Sequence, residues 1–167
     1  DPKQYYTGRG PIEAASLDIP LKNDEIVFRC NLTHVQNGLM KDFTANHVST
    51  ENATIILDRL NANCQGTDFQ FYLGVSYRHI LKTSNRFSDL LCCAPHDILD
   101  APYVAHLPKG SHENEFLDFI HSCNLIIEKD PTIRNLDLTS TGPNFIWPWS
   151  PGPYPSLESF VSRTGLT

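Results

Sequence analysis

The chain has 167 residues and a mass of 18.8 kDa, the size of one domain or of one large lobe of a bigger protein. With 40% hydrophobic and only 19% charged residues, it is not a disordered chain, a coiled coil or a collagen-like fibre. A formal charge of −6 and a pI of about 5.5 argue against general binding to a nucleic-acid backbone. They leave room for a small anion, because a few arginines in a concave site outweigh a mildly acidic surface.

The chain opens on Asp1-Pro2-Lys3-Gln4-Tyr5, which lacks the basic-then-apolar layout of a secretory signal. No apolar run approaches the roughly eighteen residues a membrane span needs. The first strong element is a strand over 26–35, rich in β-branched and aromatic residues. Asn37-Gly38 follows as a hairpin signal, and 39–43 is the return strand. Alternation along the first strand puts Val27, Arg29, Asn31 and Thr33 on one face and Phe28, Cys30 and Leu32 on the other. The polar face of a strand that otherwise reads as buried is where a site is expected.

Ser49 is expected to cap a helix that runs to about Asn63, with Ala53, Ile56, Leu57 and Leu60 at helical spacing. Strands follow over 69–72 and 77–82, broken around Gly74. A second helix is expected over 112–129, its apolar side carrying Phe116, Phe119, Ile120, Cys123, Ile126 and Ile127, and Asp130-Pro131 ends it. A last strand over 144–149 runs into a proline cluster, 143–155, that includes Trp147 and Trp149 and is not expected to continue a central ladder. That cluster reads either as a linker or, because of its aromatics, as a segment packed against something. Strands and helices interleave around one hairpin, so the expected fold is α/β: a mixed β-sheet with helices packed on it.

The five cysteines, Cys30, Cys64, Cys92, Cys93 and Cys123, are odd in number and lack zinc-type spacing. They read as reduced thiols of a cytoplasmic protein. Asn31-Leu32-Thr33 and Asn52-Ala53-Thr54 match the glycosylation triplet by chance. None of the seven histidines has metal-motif spacing, Cys92-Cys93 and His96 lie too close in sequence to face one another usefully, and Ser49 and Ser76 lack a nucleophile-elbow context.

Polar groups concentrate in Tyr6-Thr7-Gly8-Arg9-Gly10-Pro11, Phe28-Arg29-Cys30-Asn31, Tyr77-Arg78-His79 and Pro95-His96-Asp97. A guanidinium on an inward-looking strand is costly unless it meets a carboxylate or a bound anion, because it cannot shed its proton. Arg29 and Arg78 belong to different strands and so can converge on one ligand, their planar forks matching carboxylate or phosphate oxygens. Structural ion pairs with Asp or Glu are the alternative. Glycine-containing Gly8-Arg9-Gly10-Pro11 is too short for a phosphate-cradling loop.

Taken in order, these stretches resemble one family. Arg9-Gly10-Pro11-Ile12-Glu13-Ala14-Ala15, Val27-Phe28-Arg29-Cys30-Asn31, Asn46-His47-Val48-Ser49-Thr50-Glu51, Gly74-Val75-Ser76-Tyr77-Arg78-His79, Pro95-His96-Asp97-Ile98, Asn144-Phe145-Ile146-Trp147-Pro148-Trp149 and Pro155-Ser156-Leu157-Glu158-Ser159-Phe160 look like the inserted, substrate-binding domain of the archaeal-type cofactor-independent phosphoglycerate mutases. The chain departs from the family where Asn46 replaces a usual glycine, and where Ser150-Pro151-Gly152 stands for glycine-x-glycine. The resemblance implies membership of the alkaline phosphatase superfamily and interconversion of 2- and 3-phosphoglycerate through a phosphoserine. The serine nucleophile and two divalent metal ions, manganese or similar, would sit on a phosphatase-like lobe of the same polypeptide. Residues 1–167 would be the inserted lobe alone, with no catalytic residue, metal or cofactor of its own and 143–155 near its exit. The resemblance further implies Arg29 and Arg78 as anion clamps with Arg9 near the hinge. Asn31, His47, His79, His96 and Asp97 would be hydroxyl ligands or proton relays. Phosphoglycerate and the other lobe are the expected partners, with no nucleic acid or membrane. The competing expectations are a paralogous phosphotransferase or phosphatase for another small acid, and a non-catalytic interaction module.

Overall fold

A computed structural model describes residues 8–154. Tyr6, Thr7 and the 155–160 motif lie outside the described residues. The order is α1 (Arg9–Ser16), β1 (Glu25–Gln36), β2 (Leu39–Asp42), α2 (Thr50–Cys64), β3 (Gln70–Val75), β4 (Arg78–Ser84), α3 (Glu113–Lys129), α4 (Pro131–Arg134) and β5 (Phe145–Gly152). Single 3-10 turns lie between β4 and α3, one of them over Pro95–Asp97.

The hairpin forms where the sequence places it. Asn37 and Gly38 both take positive φ (54° and 76°), as the tight turn that matches strand twist requires. β1 is the hub of the five-stranded sheet. It pairs with β4 over Glu25–Asn31, with β5 over Val27–Thr33 and with β2 at its C-terminal end, and β3 lies outside β4. Each of these pairings is antiparallel, so the α/β layering and the hairpin are present, while the described residues contain no parallel pair of the kind a mixed sheet would have.

Ser49 caps α2, its Oγ accepting the Asn52 N–H at 3.1 Å. α2 buries Ala53, Ile56, Leu57, Leu60 and Cys64 on the sheet, and α3 buries Phe116, Ile120, Cys123 and Ile127. Asp130 does more than end α3. Its carboxylate accepts the N–H groups of Thr132 and Ile133, so a new turn, α4, starts at Pro131, where proline is favoured.

The two faces of β1 divide as its alternation predicts. Ile26, Phe28, Cys30 and Leu32 join the main core with α2 and α3, where Phe28 meets Phe116 at 5.0 Å between ring centres and Phe69 stacks on Phe119 at 3.7 Å. Val27 points the other way, into a smaller cluster with Ile80, Ile19 and Ala14 of α1.

At the end of the chain the structure lengthens the expected last strand and decides between the two readings of the proline cluster. β5 continues to Gly152 through Pro148 and Pro151, because among the described residues it pairs with β1 alone, and an edge strand tolerates a missing N–H. The proline cluster is not a free linker: Trp147 and Trp149 are buried, and with Met40 and Ile98 they form a third apolar cluster.

Candidate functional site

The site lies on the face of the sheet away from α2 and α3. Antiparallel partners share a face, so the pairing of Arg29 with Ile80 and Trp149, and of Asn31 with Arg78 and Trp147, sets these side chains on one surface. α1 closes one end of it. Gly10 explains how the helix comes so close: a Cβ there would lie 2.8 Å from the Arg29 backbone nitrogen and 2.9 Å from the Ser150 carbonyl oxygen. The Arg9-Gly10-Pro11 segment is therefore a docking device that sets the first turn of α1 on β1 and β5. Opposite it, β5 is bulged between the partners of Val27 and Arg29. Ser150 sits in that bulge with φ 53°, a left-handed conformation glycine adopts more easily, which fits its standing where the resembled family has glycine. Its Oγ accepts the Arg9 N–H at 2.7 Å.

Arg29 is 8% exposed. One end of its guanidinium meets Glu13 of α1 at 3.2 Å, and its Nε is buried without a hydrogen-bond partner among the described residues. Burial lowers its pKa, Glu13 opposes that shift, and the nearby positive charges of Arg78 and Arg9 lower it further. Arginine stays charged under such pressure, so the site keeps an under-neutralised cluster of cations. Among the described residues, Glu13 is the one carboxylate that pairs with any of these three arginines.

Aromatic rings connect the cluster. The guanidinium carbons of Arg29 and Arg9 lie 5.0 and 5.8 Å from the Trp149 ring centre. His96 meets the Trp149 ring edge-on at 5.5 Å and Phe43 at 5.9 Å. Phe43 reaches Tyr77 at 6.3 Å, and Tyr77 carries the Arg78 guanidinium at 5.6 Å and the His47 ring at 5.9 Å. His47 ends a run of three left-handed residues, Ala45, Asn46 and His47, held by Asp42, which accepts from Thr44 and from the Asn46 N–H. Burial presses the Asp42 carboxyl upward, yet those hydrogen bonds outweigh it and hold its pKa below the usual range. Asp97 is exposed beside His96, Nε2 to Oδ1 3.6 Å.

The expected site residues thus fall into three groups. Arg9, Arg29, Arg78, His47, His96 and Asp97 share one neighbourhood. Asn31 is there too, but both ends of its amide are taken: Nδ2 donates to the Phe43 carbonyl and Oδ1 accepts the Trp149 indole N–H, each at 3.0 Å. His79 does not belong. It pairs with Cys30 and so faces the helix side, 1% exposed. Its Nδ1 accepts the Gly74 N–H and its Nε2 donates to the Ser76 carbonyl, fastening the turn between β3 and β4. Burial drives its pKa down to about 4, so it is neutral near pH 7. Gly74, near the end of β3, is obligatory, since a Cβ would fall 2.0 Å from the Arg78 carbonyl oxygen.

Glu13, Trp149, Phe43 and Tyr77 were not singled out as site residues. Trp147-Pro148-Trp149 carries the missed signal, because two tryptophans two places apart on a strand share a face. The cysteines do not form a site. Cys93 Sγ contacts the His106 carbonyl rather than His96, and burial raises the thiol pKa of Cys64 to about 11 and of Cys92 to about 12. Asn31 is buried, which excludes it as a glycan acceptor. A separate cavity of about 390 Å³, between Lys22, Glu25, Asp68 and Lys82, shares no residue with the arginine face, and its charges are mixed.

The family model for 2,3-bisphosphoglycerate-independent phosphoglycerate mutase matches residues 1–132. A protein of that name from Methanosarcina barkeri is 36% identical over 162 residues, covering 96% of this chain and 41% of the relative. One from Methanothrix thermoacetophila is 38% identical over 169 residues, covering 99% and 42%. The chain therefore spans less than half the length of these relatives. Among solved structures, the cofactor-independent phosphoglycerate mutase of Thermoplasma acidophilum superposes with a TM-score of 0.70 at 21% identity, over 93% of this chain and 45% of that one, which speaks for the fold. On the family model and the shared motifs, the chain belongs to the 2,3-bisphosphoglycerate-independent phosphoglycerate mutase family.

Proposed function

We propose that this chain is the substrate-holding lobe of a phosphoglycerate mutase, and that Arg9, Arg29 and Arg78 hold the anionic ends of phosphoglycerate. The observation that carries the reading is the cluster of three arginines with one carboxylate among them and a buried, unpartnered Arg29 Nε. A burial of this kind is costly unless an anion completes it.

The division of labour follows from the chemistry. Phosphoryl transfer asks the protein mainly for positioning and charge neutralisation. In this reading the nucleophilic serine and two divalent metal ions lie on a phosphatase-like lobe of the same polypeptide, as in the alkaline phosphatase superfamily. The residues present here do not assemble a metal site: among the described residues no three His, Cys, Asp or Glu side chains converge. Arg29 and Arg78, on neighbouring strands, take the carboxylate and phosphoryl oxygens, and Arg9 approaches from α1. His96, beside Asp97, and His47 are the groups this reading assigns to the glycerate hydroxyls while the phosphoryl group rests on the other lobe. Closure of the two lobes then keeps water from the phosphoserine. In this reading the reaction belongs to glycolysis and gluconeogenesis in the cytoplasm. No helix among the described residues is long and apolar enough to cross a membrane.

The test is an assay of the full-length protein, supplied with manganese, for interconversion of 2- and 3-phosphoglycerate. Turnover by the full-length protein and none by residues 1–167 is expected. A full-length protein that folds and binds its metals yet leaves both phosphoglycerates unchanged contradicts the reading.

A further inference from the structure

Trp149 lies on the cationic face and touches two of its three arginines. Its indole has the Arg29 and Arg9 guanidiniums within 6 Å of the ring centre and the His96 edge at 5.5 Å. The ring cannot swing, because its N–H donates to Asn31 Oδ1, Asn31 Nδ2 donates in turn to the Phe43 carbonyl, and both residues are buried. Asn31 is thus fixed at both ends, with its donor and acceptor assigned by their partners. Trp147, its neighbour on β5, is anchored differently, its indole N–H donating to the Cys93 carbonyl.

A guanidinium next to an aromatic ring keeps its charge and its in-plane N–H groups while its face is held. Two such groups on one ring have their separation and tilt set before a ligand arrives, which lowers the ordering cost of binding. We propose that Trp149, locked by Asn31, is the positioning residue of this site: its ring presets Arg9 and Arg29 to grip one oxyanion of the ligand together. The inference rests on the mutase reading above. It also changes the role of Asn31, from a group that meets the substrate to one that orients the ring.

The experiment uses the full-length protein with 3-phosphoglycerate as the probe and inorganic phosphate as the control. Trp149→Leu removes the aromatic face, whereas Trp149→Phe keeps an aromatic face and loses the bond to Asn31. Calorimetry should show 3-phosphoglycerate binding weakened about tenfold in Trp149→Leu and about threefold in Trp149→Phe. A change in indole emission on adding the ligand should survive Trp147→Phe and vanish in Trp149→Phe. Should Trp149→Leu fail to fold, Trp149→Phe and Asn31→Leu carry the test, Asn31→Leu being expected to weaken binding by about threefold as well. Wild-type affinity in a folded Trp149→Phe protein, or an emission change that follows Trp147 instead, overturns the inference. A wild-type protein that binds no phosphoglycerate overturns the mutase reading instead, and the two failures are told apart by that control.

Discussion

The two faces of β1 are built from one run of residues, Glu25–Gln36, and follow opposite rules. On the helix side the buried residues carry no charge near pH 7. Phe28, Cys30 and Leu32 pack into one apolar core, and two neutral polar residues enter it from β4: His79 has a partner for each ring nitrogen, while the buried Thr83 Oγ1 has none among the described residues. On the other side Arg29, Asn31 and Thr33 are as buried as their neighbours, yet Arg29 keeps an unpartnered Nε beside two further arginines. The first face buries only neutral polar groups, and its histidine fastens the turn between β3 and β4. The second leaves positive charge incompletely matched, a cost to stability that a bound anion would offset.

The sharpest way to break the comparison is on the helix side. Phe28→Ala empties a fully buried ring position against Phe116 and should cost about 3–5 kcal/mol by chemical denaturation. Any variant that remains folded should keep its affinity for phosphoglycerate.

The second prediction concerns pH. His79 has a folded pKa of about 4 against an ordinary value of 6.5, so between those values the unfolded chain binds the extra proton. Stability is therefore complete above about pH 6.5 and falls as pH drops toward 4, by about 3 kcal/mol if burial acts fully. Denaturation curves at pH 7 and pH 4.5 should show the loss in the wild type. In His79→Gln the fall between those two pH values should be markedly smaller, and an unchanged slope would show that other groups carry it.

The smallest of these effects tests how the open face is assembled. Gly10→Ala pushes a methyl group against the backbone of Arg29 and Ser150, and backbone cannot move aside as a side chain does. A loss of about 1–3 kcal/mol is expected, with weaker phosphoglycerate binding because α1 carries both Arg9 and Glu13. A variant with wild-type melting and wild-type affinity would mean that α1 is not seated as described.

Much of this contrast was legible in the sequence. Period-two alternation in 26–35 separated Arg29 and Asn31 from Phe28 and Cys30, and Asn37-Gly38 and Ser49 announced the hairpin and the start of α2. The same rule applied to Tyr77-Arg78-His79 puts Arg78 and His79 on opposite faces, and so removes His79 from the site that Arg78 joins. Other features were not legible because long-range contacts decide them. α1 is an eight-residue helix whose hold on the sheet comes from Gly10 meeting β1 and β5, not from local pattern. Asn31 reads as a ligand from its place beside Arg29, and only the indole of Trp149, 118 residues away in sequence, shows that its amide is already taken. The continuation of β5 through Pro148 and Pro151 depends on its pairing with β1 alone among the described residues.

The measurement that bears most directly on the open face is Arg29→Met in the full-length protein, with melting and calorimetric binding of 3-phosphoglycerate recorded on the same sample. Methionine keeps the buried stem and removes the charge. The account predicts stability equal to or above wild type, because an incompletely matched buried cation is gone, and binding weakened by about thirtyfold, roughly 2 kcal/mol. A protein that melts several degrees lower and binds phosphoglycerate as the wild type does would contradict it, and Arg29 would then be a structural partner of Glu13.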